Sequence, residues 1–79
     1  MKPEKKCALE LAQQAAKNLK KWGAQDLDTL GLALAEETGE LCQAILQARY
    51  VAGPGRVREE ALDAGALCIQ VLLATRPKK

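Results

Sequence analysis

The chain reads as an all-α protein of three helices, and three observations predict it. Apolar residues recur at three- and four-residue steps along nearly the whole chain. No stretch alternates apolar and polar residues as a half-buried strand would. Gly23 and the segment AGPGR at Ala52–Arg56 cut the 79 residues into three periodic stretches. The first helix should cover residues 3–22, with Pro3 in a turn that tolerates proline. Gly23 then offers a left-handed C-terminal cap. The second should cover residues 28–50, capped by Asp26, Asp28 or Thr29. Pro54, flanked by two glycines and lacking an amide hydrogen, interrupts helix there. The third should cover residues 57–75 and stop before Pro77.

Seventy-nine residues make a single domain, 1–79, and a small one. A chain of that size buries only about 60% of the surface its unfolded form exposes. Large core residues are scarce: no Phe, one Trp and one Tyr. Such a core rarely supplies more than ~3–5 kcal/mol, so homo-oligomerisation is expected.

Composition also narrows the function classes. The net charge of +2 comes from mixed signs, and no basic face carries interleaved aromatics, which argues against nucleic acid as a partner. Cys7, Cys42 and Cys68 are odd in number and lack CxxC spacing, and the chain has no His. That argues against structural zinc and against a disulfide framework, and suits buried free thiols in a reducing cytoplasm. No segment reaches the ~18 consecutive apolar residues of a membrane span, and no signal-peptide pattern opens the chain.

Helical-wheel arithmetic isolates the unusual residues. In the second helix Leu30, Ala33, Leu34, Leu41, Ala44, Ile45 and Ala48 form one stripe, with Glu37 at its centre and Glu40 on its edge. A second seam, Leu32, Ala35, Gly39, Cys42 and Leu46, runs along the opposite side. The third helix repeats the arrangement: Val57, Ala64, Leu67, Val71 and Ala74 flank Glu60, with Asp63 on the edge. Its far seam holds Leu62, Gly65, Ile69 and Leu73. A helix apolar on two faces is usually buried between neighbours. Gly39 and Gly65 lie on these far seams, where a missing side chain lets helices approach closely, between subunits or within the chain.

Glu37 with Glu40, and Glu60 with Asp63, are each i, i+3 pairs on one helix face. If the two stripes pack together, four carboxylates converge in a partly desolvated space. Bare, such a cluster is strongly unfavourable; a hard divalent cation, Mg²⁺ or Mn²⁺, reverses that. Di-iron chemistry is excluded by the lack of His for a Glu-x-x-His motif. Nucleophilic catalysis lacks its partners too: the cysteines have no His, and neither a Gly-x-Ser-x-Gly elbow nor a phosphate loop occurs.

EETGE at Glu36–Glu40, followed after eighteen residues by EEALD at Glu59–Asp63, resembles the E-x-x-E … E-x-x-D signature of the MazG-like all-α nucleoside triphosphate pyrophosphohydrolases. The upstream KWGAQDLDTLGLALAEETGEL is similar to that family's first-helix end and second helix, and the resemblance spans roughly residues 19–73. It implies metal-dependent hydrolysis of a nucleoside triphosphate to monophosphate and pyrophosphate, in nucleotide-pool housecleaning. Glu37, Glu40, Glu60 and Asp63 would be metal ligands, with Glu37 and Glu40 both candidates for orienting the attacking water. It also implies a homo-oligomer, dimer or tetramer, that completes the three helices to a four-helix-type bundle. Trp22 and Gln25 fall where relatives line the base pocket. Arg56 and Arg58 stand at a helix N-terminus, where they can meet phosphates. Larger relatives continue into a further helix whose Lys and Asn residues hold the phosphates; these 79 residues show no counterpart, and Leu67 stands where relatives frequently carry Tyr. The alternatives are a metal- and nucleotide-binding module without turnover, and a helical oligomerisation module.

Overall fold

In the computed structural model, which describes residues 1–48 and 54–77, α1 spans Pro3–Trp22, α2 spans Leu27–Ala48 and α3 spans Pro54–Ala74. No strand occurs among the described residues. The protein is all-α. The expected end of α2 near Tyr50 lies outside the described residues, as do Ala52 and Gly53.

Each described boundary has a local cause. Glu4 in the first turn of α1 and Lys20 and Lys21 in the last complement the helix dipole. Gly23 then takes φ 74°, a conformation costly for any residue with a Cβ, and its amide donates to the Leu19 carbonyl at 2.8 Å. Of the three candidate caps for α2, Asp26 does the capping: its Oδ1 accepts the Thr29 amide at 2.8 Å. The same bond holds the Asp26 carboxyl below its ordinary pKa.

The start of α3 departs from expectation. Proline interrupts a helix only in its interior, and Pro54 is instead the first residue of α3, three residues ahead of Val57. A first-turn amide has no intrahelical acceptor, so its loss costs nothing there. At the far end Thr75 donates its amide (3.0 Å) and its hydroxyl (2.8 Å) to the Val71 carbonyl, closing the helix before Pro77.

α3 is the central helix. It packs on both α1 and α2, whose Cα atoms nowhere come within 8 Å of each other among the described residues. That explains why α3 is apolar on two faces. The buried residues are mostly small: Ala15 on α1, Leu30 and Ala44 on α2, and Ala64, Ala66 and Leu67 on α3. Small residues allow close helix approach, and Gly65 is the extreme case. A Cβ there would run into the Leu11 side chain of α1.

The two far-seam glycines therefore part company. Gly65 serves packing within the chain, whereas a Cβ at Gly39 would meet nothing within 4 Å. The α2 far seam is bare: Leu32 is 71% and Leu46 64% exposed, and Ala35 and Cys42 are exposed beside them. All three cysteines are free and exposed, so the expectation of buried thiols fails. Cys42 lies on the bare far seam of α2, and Cys7 at the open mouth of a groove between α1 and α3. No helix among the described residues is long and apolar enough to cross a membrane.

Overpacking the α1–α3 crossing tests this arrangement. Gly65→Val should destabilise the fold by about 1–3 kcal/mol in urea unfolding. Adding Leu11→Ala should return part of that loss, because the two side chains compete for one space.

Candidate metal centre

Glu37 sits in the middle of α2 and faces α3; Glu60 and Asp63 lie one turn apart on α3 and face back. One oxygen of each carboxylate falls within 4.8 Å of the other two. The i, i+3 spacing puts Glu60 and Asp63 on one helix face, and the packing of α2 on α3 brings Glu37 across to them. Around them the seam is apolar, with Ala33 and Leu67 beside the acids.

Glu40, the fourth acid of the two motifs, does not belong to the convergent three. It is exposed, one turn beyond Glu37, and its charge still bears on Glu37, Glu60 and Asp63. Two oxygens of the cluster are in an unusual state. Glu37 Oε2 and Glu60 Oε2 are shielded from solvent and have no hydrogen-bond partner among the described residues. A shielded carboxylate oxygen without a partner is costly, because it has given up water for nothing.

The electrostatics follow from that geometry. Desolvation, then the charges of Glu40, Asp63 and Glu60, push the Glu37 carboxyl up to about 7. Desolvation and the nearby Glu40 raise Glu60, with Arg56 acting the other way. Asp63 is raised by desolvation and by Glu40 and Glu59. All three shifts have one sign: the site disfavours its own negative charge. The donor set is all oxygen and anionic, which suits a hard divalent cation rather than a soft one.

A cavity of about 400 Å³ opens beside the acids, lined by Glu37, Asp63, Trp22, Gln25, Asn18 and Leu67 among others. That size is in the range of small-molecule sites. Trp22 is no core anchor: it is 62% exposed at the end of α1, with Lys21 Nζ 4.9 Å from its ring centre. Gln25, in the turn after α1, is half-buried and lines the same cavity.

The two arginines separate. Arg56 is exposed in the first turn of α3 and lies near enough to Glu60 to lower its pKa. Arg58 forms an ion pair with Glu10 of α1 and lines a different cavity, between α1 and α3, with Cys7 and Leu11. It is not among the residues of the acidic cavity. One lining residue, Asn18, carries no helical-pattern signal that would have singled it out; an amide in mid-helix looks like any polar surface position.

Comparison with protein-family models, with curated proteins and with solved structures gives no match for this chain.

The raised carboxylates fix how cation-free stability varies with pH. A folded-state pKa of about 7 against an ordinary 4.5 means the native state binds the extra proton. Stability therefore falls as pH rises through the window from 4.5 to 7. Thermal unfolding in chelator should give a higher melting temperature at pH 5 than at pH 8. Glu37→Gln should flatten that slope and raise the melting temperature at pH 8.

Proposed function

We propose that the protein is a metal-dependent nucleoside triphosphate pyrophosphohydrolase. One observation carries the reading: three carboxylates of α2 and α3 converge, two of them with shielded and unpartnered oxygens, at one side of a ligand-sized cavity. A cluster that raises its own pKa values is held together at a cost, and a bound cation is what offsets such a cost. Glu37, Glu60 and Asp63 would hold Mg²⁺ or Mn²⁺, with Glu40 at the margin. When bound, the cation neutralises charge on phosphate oxygens as it develops.

The remaining roles fall to the chain's own residues. The Trp22 ring, exposed at the cavity rim, offers a face on which a base can stack. Glu40, outside the convergent three, is free to orient a water and accept its proton. That water adds to the α-phosphorus and pyrophosphate leaves, so the products are a nucleoside monophosphate and pyrophosphate. Arg56, exposed at the start of α3 and near Glu60, though not itself lining the cavity, would meet the departing phosphates. The resemblance of EETGE and EEALD to the MazG-like signature supports the same chemistry, including its housecleaning role. Exposed free thiols favour a reducing compartment such as the cytoplasm.

The reading includes a homo-oligomer, a dimer in its simplest form. The chain exposes 6150 Å², against about 4,700 Å² for a compact monomer of 8.5 kDa. Its radius of gyration of 13.7 Å likewise exceeds the roughly 12 Å typical of 79 residues. The bare α2 seam of Leu32, Gly39, Cys42 and Leu46 is an apolar strip that a second copy would cover.

Two experiments test this. Pyrophosphate release from a panel of nucleoside triphosphates should require Mg²⁺ or Mn²⁺ and fall by at least about a hundredfold in Glu37→Ala and Glu60→Ala. Saturable nucleotide binding without release would leave a binding module in its place. In light scattering the protein should weigh at least twice 8.5 kDa, and Leu46→Lys should reduce it to the single-chain mass. A single-chain mass for the unaltered protein would remove the oligomer.

A further inference from the structure

Asn18, which lines the acidic cavity, is the middle member of a chain of three amides. Its Oδ1 accepts from Gln14 Nε2 at 3.1 Å, one turn earlier on α1. Its Nδ2 donates to Gln70 Oε1 on α3 at 3.0 Å. Gln70 is only 3% exposed, the one buried polar side chain among the described residues.

The chain can run in either direction. An amide both donates and accepts, so turning all three together reverses each bond and loses neither. The two ends decide whether such a turn is costly. Gln14 is half-buried on α1, outside the cavity lining, and water meets its free end whichever atom points outward. Behind Gln70 lies a second cavity of about 60 Å³, which Gln25 also borders. That volume is enough for a water, and a water donates or accepts as its neighbour requires. Among the described residues neither Gln14 nor Gln70 makes a further side-chain hydrogen bond that would hold one direction. Both directions keep every bond.

Asn18 uses one donor and one acceptor within the chain, so one N–H and one lone pair remain for a ligand. Trp22 follows one turn later on the same face of α1 and lines the same cavity. A flat ring beside such an amide matches a nucleobase, whose face stacks and whose edge pairs. Base edges come in two orders. Cytosine and adenine set a ring-nitrogen acceptor beside an amino donor, whereas uracil and guanine set a ring N–H beside a keto acceptor. With its triphosphate held at the carboxylates by a cation, a base cannot turn end for end to suit the amide. An amide in a reversible chain turns to suit the base instead.

We infer that the three amides act as a two-way relay: Asn18 meets the base edge in either order, so the cavity takes amino and keto bases alike. Gln14, outside the cavity, is the positioning residue through which a preference can be imposed. The inference rests on the nucleotide reading of this cavity and names its substrate class.

The test keeps the phosphates and the cation that orient the base. The α,β-methylene analogues of cytidine and uridine triphosphate cannot release pyrophosphate. Each is titrated in Mg²⁺ against the fluorescence of Trp22, the chain's one tryptophan. The unaltered protein should bind the two within about threefold of each other. Glu accepts only and Lys donates only, so Gln14→Glu and Gln14→Lys lock the chain in opposite directions. Their cytidine-to-uridine affinity ratios should fall on opposite sides of the unaltered protein's and differ from each other by roughly tenfold or more. The altered charge and any loss of fold stability act on both analogues alike and cancel in the ratio. Adding Asn18→Ala to either variant should return the ratio to that of Asn18→Ala alone, because nothing then carries the lock to the base.

A preference of about tenfold or more in the unaltered protein overturns the inference. So do ratios that the two Gln14 variants leave unmoved or move in the same direction, and so does a difference between them that survives Asn18→Ala. Each of these results, with binding intact, retains the nucleotide reading and discards the relay. Absence of saturable quenching by both analogues removes the nucleotide reading and the relay with it.

Discussion

Among the described residues every close backbone approach between helices involves α3, and the other features answer to that constraint. Because α1 and α2 stay apart at the backbone, close packing is not spread evenly over three mutual helix interfaces. α3 must be apolar towards both neighbours, which leaves little of its surface for charge. Yet Glu60 and Asp63 occupy its α2-facing side, opposite Glu37. Charge has been placed where the fold has least burial to spare.

Stability and site therefore draw on one resource. The buried set is dominated by alanines, with Leu30 the largest side chain wholly out of solvent. An alanine core gains less from burial than a leucine core, since the gain scales with apolar area. Against that modest gain stand shielded carboxylate oxygens with no partner. Replacing the acids by leucines would make a better core and no site. For helix packing alone, an acid would be better placed on the solvated face.

Much of this was legible in the sequence, and the rest was not for identifiable reasons. Helix periodicity and the Gly23 break placed α1, and the i, i+3 acids on facing stripes anticipated Glu37 meeting Glu60 and Asp63, because both patterns are local to one helix. Gly39 and Gly65 look alike on a wheel but differ in space, since only the crossing of α1 over α3 decides which glycine has a neighbour. The Arg58–Glu10 pair and the Asn18–Gln70 bond join residues 48 and 52 positions apart, and no periodicity encodes such a partner. Pro54 was misjudged because proline's meaning depends on whether it lies inside a helix or begins one.

The same dependence on α3 bears on how the site could be regulated by assembly. α2 holds Glu37 and Glu40 on one side and the bare Leu32–Leu46 seam on the other. A helix gripped on one face only is freer to shift along its partner than one gripped on both, and Glu37 would shift with it. Covering the second face would fix α2 against α3 without touching the acids. The cost of bringing three carboxylates together would then be met partly by area buried on the opposite side of the same helix. Under the proposed function, assembly and cation binding would be coupled, each favouring the other by linkage through the position of α2. Such coupling arises because one helix carries both surfaces, and it requires no contact between the second copy and the cavity.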